Sequence, residues 1–469
     1  MNETAAGIVR PVDTTVEYER KLEAPEGFEL PDLGGEPLEP RVFTSVYYDT
    51  PDRSLTQAGI TLRRRTERGR GLWQLKLPSD EARLELEEPG GPARPPASLA
   101  RLLTTHLRHG RVAPVAELRT RRHGALVARN GTTAEVTIDD VAVMDALRVV
   151  EEFVEVEVEL KEGKPKQCDA IADELTDAGA RFTDGTPKLF RVLRVSREAT
   201  PKEPLEALRA RLRAQLRAIL ANDPGTRLGQ ETESLHDMRV AARRARALLR
   251  TGRPLYANDV VALENELRWL GEKLGAVRDL DVLVARLRGE SEGLDADDRS
   301  TARTLLRTLE RRRTSARTSL LKALDSDRYF TLLDSFSAQI DALEPSGADL
   351  TLTDVAQRQL KKLRKRIRTT GDDAPNAELH TLRKKGKRLR YAYELAGDDA
   401  VVKRAKKFQD ILGENQDSVV AEETLRQLAS GAPEHGVVAG RLIERERAGR
   451  ADVRNGWRKA WKKLKRTAK

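Results

Sequence analysis

Glu17, Glu19 and Lys21 stand two residues apart in Thr15-Val16-Glu17-Tyr18-Glu19-Arg20-Lys21-Leu22. In a β-strand that spacing puts all three on one face, with Val16, Tyr18 and Leu22 on the other. Two carboxylates beside an ammonium group can serve a hard cation and a phosphate together. Oxygen ligands suit Mg²⁺ or Mn²⁺, which keep several waters and borrow further oxygens from substrate phosphates, and a lysine acts on phosphate as a point charge. Taken alone, such a strand reads more simply as the wet side of a sheet. The residues that follow it change that balance.

The segment from about Val12 to Ser196 is β-rich, and nearly every strand in it has one apolar and one charged face. Val42 to Tyr48 leads into the turn Asp49-Thr50-Pro51-Asp52. Arg63 and Arg65 then share a face opposite Ile60 and Leu62, and Gln74 and Lys76 oppose Trp73, Leu75 and Leu77. Glu85 and Glu87 alternate with Leu84 and Leu86. Further strands carry Arg119 and Arg121, then Glu135 and Asp139 opposite Val136 and Ile138. Glu155, Glu157, Glu159 and Lys161 alternate with Val154, Val156, Val158 and Leu160, a helix follows over Lys166–Ala178, and a last strand spans Lys188–Val195. Periodicity does not say which face is inside, because an antiparallel sheet with a solvated side gives the same alternation. A charged set this rich in Arg and Glu favours an interior lined with charge, which leaves the apolar faces to be covered by helices or another domain. His106 and His109 fall on an expected surface helix (Ser98 to His109) and read as bystanders.

Composition narrows the function classes. The chain has 469 residues, enough for two or more domains, and a formal net charge of +10, which calls for an anionic partner. Aromatic residues make up only 4%, which argues against a single-strand nucleic-acid binder that stacks bases on rings. Cys168 is the only cysteine, so a disulfide framework and a thiolate metal cluster are both excluded. No signal pattern opens the chain and no apolar run reaches membrane-spanning length, so the expected location is the cytoplasm, with no membrane partner.

Glu17-x-Glu19-x-Lys21, Tyr48-Asp49-Thr50, Leu62-Arg63-Arg64-Arg65, Leu75-Lys76-Leu77 and Glu157-Val158-Glu159-Leu160, in this order, resemble the CYTH domain of the triphosphate tunnel metalloenzymes. The resemblance implies an eight-stranded antiparallel barrel with flanking helices, whose charged faces point into a tunnel. It implies that Lys21, Arg63, Arg65, Lys76, Arg119, Arg121 and Lys188 hold a triphosphate, and that Glu17, Glu19, Asp139, Glu157 and Glu159 hold Mg²⁺ or Mn²⁺ or their waters. Glu17, Glu19 and Lys21 would form the catalytic group. Phosphoryl transfer needs little beyond positioning and charge neutralisation, and a second metal on Glu17 and Glu19 would orient and activate a water.

Thr200-Pro201-Lys202-Glu203-Pro204 reads as a linker (residues 199–205) between a first domain at 12–198 and a helical domain at 206–462. That second part contains a repeat. Ser234-Leu235-His236-Asp237-Met238-Arg239 recurs as Glu378-Leu379-His380-Thr381-Leu382-Arg383, and Leu274-Gly275-Ala276-Val277-Arg278-Asp279 recurs as Leu412-Gly413-Glu414-Asn415-Gln416-Asp417 at nearly the same offset. At about 100° per residue, His236, Arg239, Arg243, Arg246 and Arg250 fall on one helix face, backed by Met238, Ala242, Ala245 and Leu249. His380, Arg383, Lys387 and Arg390 repeat the stripe. Solvated faces usually mix signs, whereas these stripes are almost purely basic, a cost that a bound anion would offset. The clusters Lys361–Arg366 and Lys403–Lys407 and a frayed tail, Lys459–Lys469, extend the basic surface. Asp279 and Asp417, each following a glycine, are expected as helix N-caps.

This half resembles the CHAD domain, on His236-x-x-Arg239-x-x-x-Arg243, His380-x-x-Arg383-x-x-x-Lys387 and the two Leu-Gly motifs. The resemblance implies an all-α domain of two pseudo-symmetric four-helix bundles that binds inorganic polyphosphate. The sequence therefore reads as an α+β multidomain, metal-dependent triphosphatase acting on inorganic triphosphate, with a polyphosphate-binding domain that would associate it with polyphosphate granules. Adenylate cyclase or thiamine triphosphatase activity of the same tunnel, a non-catalytic polyphosphate-binding scaffold, and nucleic-acid binding by the basic stripes stay open as alternatives. So does packing of the barrel on another copy of itself as a homodimer.

Overall fold

The computed structural model describes residues 13–78, 83–183, 188–193, 201, 203–230, 232–371 and 373–468. The chain divides into two compact units, residues 1–198 with 220–234, and residues 199–219 with 235–469.

The first unit contains β1 (Asp13–Ala24), β2 (Glu36–Pro37), β3 (Arg41–Asp49), α1 (Ser54–Gln57), β4 (Thr61–Glu67), β5 (Arg70–Pro78), β6 (Arg83–Pro89), α2 (Ala97–Leu102), β7 (Ala113–Arg129), β8 (Thr132–Asp145), β9 (Arg148–Glu162), α3 (Pro165–Asp177), β10 (Arg181–Phe182) and α4 (Lys188–Val192). The eight long strands are antiparallel neighbours in the order β1-β6-β5-β4-β3-β7-β8-β9, and β9 pairs again with β1 through Tyr18↔Leu160 to Ala24↔Val154. The hydrogen-bonded ring has local causes. Asn130 and Gly131, both at positive φ (52° and 72°), make the two-residue turn between β7 and β8, where left-handed backbone matches strand twist.

The apolar strand faces point outward and are covered within this unit. Leu22, Val136, Ile138, Val156 and Val158 pack on Cys168, Ile171, Ala172 and Leu175 of α3. Their spacing makes one helical stripe, which Pro165 opens as the first helical residue. Leu62, Trp73, Leu75 and Leu86 pack on Leu55 of α1 and on Leu99 and Leu103 in and after α2. Each fully buried leucine here is worth about 1.5–3 kcal/mol. His106 is buried in this layer, not on a surface helix: Nδ1 meets Ser54 Oγ at 2.7 Å and Nε2 meets Leu220 O at 3.0 Å. Burial lowers its pKa, so it stays neutral as a structural group. The Tyr48-Asp49-Thr50 motif is also structural. The buried Asp49 carboxylate accepts from the backbone N–H groups of Thr50, Leu55 and Thr56 and folds the chain into α1.

The second unit is helical throughout: α5 (Pro204–Leu228), of which residues 204–219 belong here, α6 (Thr232–Gly252), α7 (Val261–Glu292), α8 (Ala296–Leu324), α9 (Asp327–Asp341), α10 (Leu352–Arg368), α11 (Asn376–Ala396), α12 (Asp399–Gly431) and α13 (Gly436–Thr467). One core joins α10 through α13, including Leu382, Leu389, Phe408, Trp457 and Trp461. Another joins the far ends of α7 and α8 to those of α12 and α13, through Leu283, Leu287, Leu305, Leu309, Leu425 and Leu442. The two copies of the repeat thus share an interior. The expected frayed tail is instead the last turns of α13, anchored by Trp457, Trp461 and Leu464. Among the described residues no helix is long and apolar enough to cross a membrane.

Candidate functional site

The inward faces of the ring enclose a cavity of about 280 Å³, well above what a few water molecules fill. Its lining divides into two sectors that follow strand order. Arg41 of β3, Arg63 and Arg65 of β4, Lys76 of β5 and Arg122 of β7 form a contiguous basic wall. Glu85 and Glu87 of β6, Glu19 of β1, Glu157 and Glu159 of β9 and Glu135 of β8 form an acidic one. Lys21, Lys161 and Lys188 stand among the carboxylates.

At the deep end of the acidic wall the charges are tightly paired. Lys21 Nζ lies 3.2 Å from Glu155 Oε1 and 3.6 Å from Glu19 Oε2, and donates to Glu157. Lys188 bonds Asp139 and lies 3.2 Å from both Glu155 Oε1 and Glu157 Oε1. Arg122 donates Nε to Asp139 Oδ1 at 2.7 Å and Nη2 to Asp139 Oδ2 at 2.6 Å and to Glu157 Oε2 at 2.5 Å. Burial pushes the Glu155 carboxyl up. Burial would also raise Glu157, but Lys188, Lys21 and Arg122 hold it well below the usual carboxylate range. Burial would lower Lys21, and Glu157, Glu155 and Glu19 raise it instead.

Nearer the open side, Glu19 of β1 and Glu135 of β8 both sit in register with Glu159 of β9. Three carboxylates in a row across adjacent strands repel one another unless a cation is near, and Lys161 supplies one, 2.6 Å from Glu159 Oε1 and 3.4 Å from Glu135 Oε2. The donor set is hard oxygen throughout and fits Mg²⁺ or Mn²⁺. On the opposite wall Arg63 donates to Gln74 Oε1 at 2.7 Å and Tyr47 at 3.3 Å. Arg65 stacks 3.8 Å from the Phe43 ring and keeps a buried Nε without a hydrogen-bond partner. Burial, with Arg63, Arg41 and Arg122 beside it, pushes Arg65 down to about 10. Arg41 and Arg65 share the Glu67 carboxylate, at 2.6 Å and 3.3 Å, and Lys76 lies 3.3 Å from Glu85, so the wall's cations are partly paired, and their crowding still suits an anion.

The cavity thus collects Glu19, Lys21, Arg63, Arg65, Lys76, Glu157, Glu159 and Lys188 of the expected site. Glu17 is on β1, opposite Arg83, and its side chain lies outside the described residues. Asp139 is fully buried and bonded to Arg122 and Lys188. Arg119 and Arg121 are on the outer, exposed face of β7, and Arg122 takes the inward position. Lys188 comes from α4, not from a closing strand. Arg41 and Arg122 were legible only once the inward phase of each strand was fixed, whereas Glu155 already stood with Glu157 and Glu159 on the charged face of its strand.

A second cavity, about 750 Å³, lies within the helical unit. It gathers His236, Arg239 and Arg243 of α6 with His380, Arg383, Lys387 and Arg390 of α11, and adds Arg244, Arg278 and Arg286. Arg246 and Arg250 do not line it, and Arg250 pairs with Glu264 of α7 instead. Asp279 and Asp417 are not N-caps, because Gly275 and Gly413 lie inside long α7 and α12. Asp279 Oδ1 accepts from Arg239 at 2.8 Å, and the guanidinium groups of Arg239 and Arg383 lie over Gly275 and Gly413 in turn. Arg243, Arg278 and Arg383 each keep a buried Nε without a hydrogen-bond partner, and Arg390 Nε lies 3.2 Å from Glu394 Oε1. Burial and the adjacent Arg243, Arg383, Arg239 and Arg390 push Lys387 down to about 7.

The CYTH domain family matches residues 15–184 and the CHAD domain family residues 210–426. An uncharacterized protein of Mycobacterium tuberculosis is 34% identical over 462 residues, 89% of this chain and 89% of its own length. Among solved structures, PptA from Streptomyces chartreusis is 24% identical, with 55% of this chain and 99% of that chain covered and a TM-score of 0.48. The CHAD domain from the plant Ricinus communis is 28% identical, covering 56% and 93%, also at 0.48. A Hippeastrum protein classed as an adenylyl cyclase, with a dominant triphosphatase activity, is 16% identical, covering 38% and 95% at 0.26.

Proposed function

The chain belongs to the proteins that join a CYTH domain to a CHAD domain, and from that premise we propose that its barrel hydrolyses inorganic triphosphate while its helical unit binds polyphosphate. The division of the barrel interior into a basic and an acidic wall carries this reading. Arg63, Arg65, Lys76 and Arg122 bind the non-bridging oxygens of the chain along one side, where charge builds as the terminal phosphoryl departs. Glu19 and Glu159, with Glu135 beside them, would hold a divalent cation, which would supply charge neutralisation and an acidified water; Glu17 joins this set from the strand alternation of the sequence. Asp139 keeps Arg122 and Lys188 aimed inward. The reacting group needs no side-chain nucleophile.

Phosphate release from triphosphate with Mg²⁺ tests this. The double variant Glu17→Ala with Glu19→Ala is expected to lose at least about 10²-fold in rate, and release at the wild-type rate from that variant would sink the assignment. An inactive wild type would instead leave a barrel that only holds ligand.

For the helical unit, the orphaned guanidinium donors and the crowding around Lys387 support an anion with many oxygens. A polyanion restores the proton that neighbouring arginines push off Lys387, so binding takes up a proton. Affinity is therefore expected to be full below pH 7 and to weaken above it, by up to about tenfold per pH unit. His380 is pushed below its ordinary value by burial, with Lys384 and Arg383 beside it, and titrates beneath that window. Titration of full-length protein with long-chain polyphosphate across pH 6–9 measures the slope. Lys387→Arg, which stays charged, should flatten it, and an unchanged slope would exclude Lys387 as its source.

A further inference from the structure

The second copy of the repeat carries charge that the cavity of the helical unit does not use. Each of its four helices has a stretch with basic residues and no carboxylate, at 361–368 of α10, 384–390 of α11, 403–407 of α12 and 459–466 of α13. The stretches lie side by side. Arg364 donates Nη2 to Ala468 O at 3.1 Å and Arg458 donates Nη2 to Thr370 O at 2.8 Å, which ties α10 to α13. The Phe408 and Trp461 rings join α12 to α13 with centroids 6.2 Å apart, and Gly386 of α11 sits against Phe408. Lys362, Lys365, Lys384, Lys406, Lys462 and Lys463 are exposed, line no part of that cavity, and among the described residues have no ion pair. Burial, with Arg388, Lys362 and Arg366 beside it, pushes Lys385 below its ordinary value, so the cations crowd across α10 and α11. The first copy is built differently. At the offset that superimposes the two Leu-Gly motifs, Glu266 stands where α12 has Arg404, and it pairs with Arg328 at 2.7 Å, while Glu264 pairs with Arg250. The patch is thus no by-product of the repeat, and like charges left together cost stability unless an anion covers them.

The chemistry of the patch narrows the anion. A thin, flexible phosphate chain is served by the concave walls of the cavity, whereas lysines spread over the outer faces of neighbouring helices, with axes about 8–10 Å apart, suit a broad and rigid polyanion. Every aromatic residue of the four helices (Tyr391, Tyr393, Phe408, Trp457 and Trp461) is buried, so unstacked bases find no platform and a single strand gains little. Among the described residues, none of the exposed large apolar side chains falls within the four stretches, which leaves nothing to enter a bilayer. Lysine meets phosphate as a point charge and lacks the planar fork that reads guanine edges in pairs. We propose that the outer surface of α10 to α13 binds double-stranded DNA along its phosphate backbone, without regard to sequence. The duplex stays outside, because its major groove alone is about 12 Å wide and the cavity of the helical unit holds about 750 Å³. The two faces of α11 then serve two ligands: His380, Arg383, Lys387 and Arg390 turn into the cavity, and Lys384 and Arg388 turn away from it.

The test titrates full-length protein into two labelled DNA duplexes of unrelated sequence and follows fluorescence anisotropy from about 50 to 200 mM salt. Both duplexes should bind alike, with affinity falling steeply as salt rises. The quadruple variant Lys365→Gln, Lys406→Gln, Lys462→Gln and Lys463→Gln should bind duplex about 10²-fold more weakly at about 0.1 M salt and flatten the log–log salt slope by about three to four. Its urea midpoint should hold, and its affinity for short-chain polyphosphate should stay within about threefold of wild type. If the midpoint shifts, the single variants Lys406→Gln and Lys462→Gln replace it, each expected to flatten the slope by about one. Absence of duplex binding at about 0.1 M salt, a clear preference for one sequence, or unchanged duplex affinity in the folded variants would overturn the proposal. Equal losses for duplex and short-chain polyphosphate would overturn it too, by assigning the patch to the cavity's ligand. So would tighter binding to phosphatidylserine vesicles than to DNA, which would make the partner a membrane surface.

Discussion

Replacing Arg122 with alanine is expected to lower kcat/KM for triphosphate by about 10²–10³-fold, while Arg119→Ala and Arg121→Ala stay within about twofold of wild type. The three arginines lie within four residues on one strand, so the contrast tests which way β7 faces. Arg122 is fixed by two bonds to Asp139 and one to Glu157. It is therefore preorganised before substrate arrives, which is where a charged donor is worth most. Arg119 and Arg121 point to solvent on the outer face of β7. Steady-state phosphate release by the three variants checks this. Loss of activity in Arg121→Ala alone would mean that the strand register is shifted by one.

Asp139→Ala is expected to destabilise the barrel unit by about 3 kcal/mol or more. The carboxylate is fully buried between Arg122 and Lys188, and its removal leaves Arg122 leaning on Glu157 and Lys188 on Glu155 and Glu157, which Lys21 already engages. The unfolding transition of the full-length chain in urea measures the loss. Adding Lys188→Met to Asp139→Ala should recover part of it, because one uncompensated charge leaves with the lysine. The pH dependence has a definite sign. Burial would raise the Asp139 pKa, but Lys188 and Arg122 depress it. Its stabilisation is therefore present above the unfolded value of about 3.9 and lost as pH falls below it. The gap between wild type and Asp139→Asn should accordingly close in acid. A gap that widened below pH 4 would contradict the pairing.

Much of this was legible in the alternation of the strands, since the apolar faces of β1, β4, β5, β6, β8 and β9 had only to be assigned outward for Lys21, Arg63, Lys76, Glu157 and Glu159 to meet. β7 failed because both phases of Leu118-Arg119-Thr120-Arg121-Arg122 carry arginine, and one residue of slip exchanges the faces. Leu118 and Thr120, packed inward, set the true phase. Lys188 was assigned to a strand because Lys188-Leu189-Phe190-Arg191-Val192 alternates over too short a stretch to distinguish the two periods, and a single helical turn delivers its amine instead. In the helical unit the glycines of the two Leu-Gly motifs suggested helix ends. Gly275 and Gly413 instead sit mid-helix beneath arginine side chains, a packing relation between distant segments that no local pattern encodes.

The core formed by the far ends of α7, α8, α12 and α13 bears on how the repeat arose and how it can fail. Leu305 and Leu309 of the first copy lean on Leu425 and Leu442 of the second, so beside the core that α10 through α13 form among themselves the copies have one in common. A gene duplication that left two self-sufficient modules could later lose one of them. Here the halves have become mutual scaffolds, and deleting either would strip leucines from the survivor and pull apart the two histidine-bearing helices that meet across the cavity.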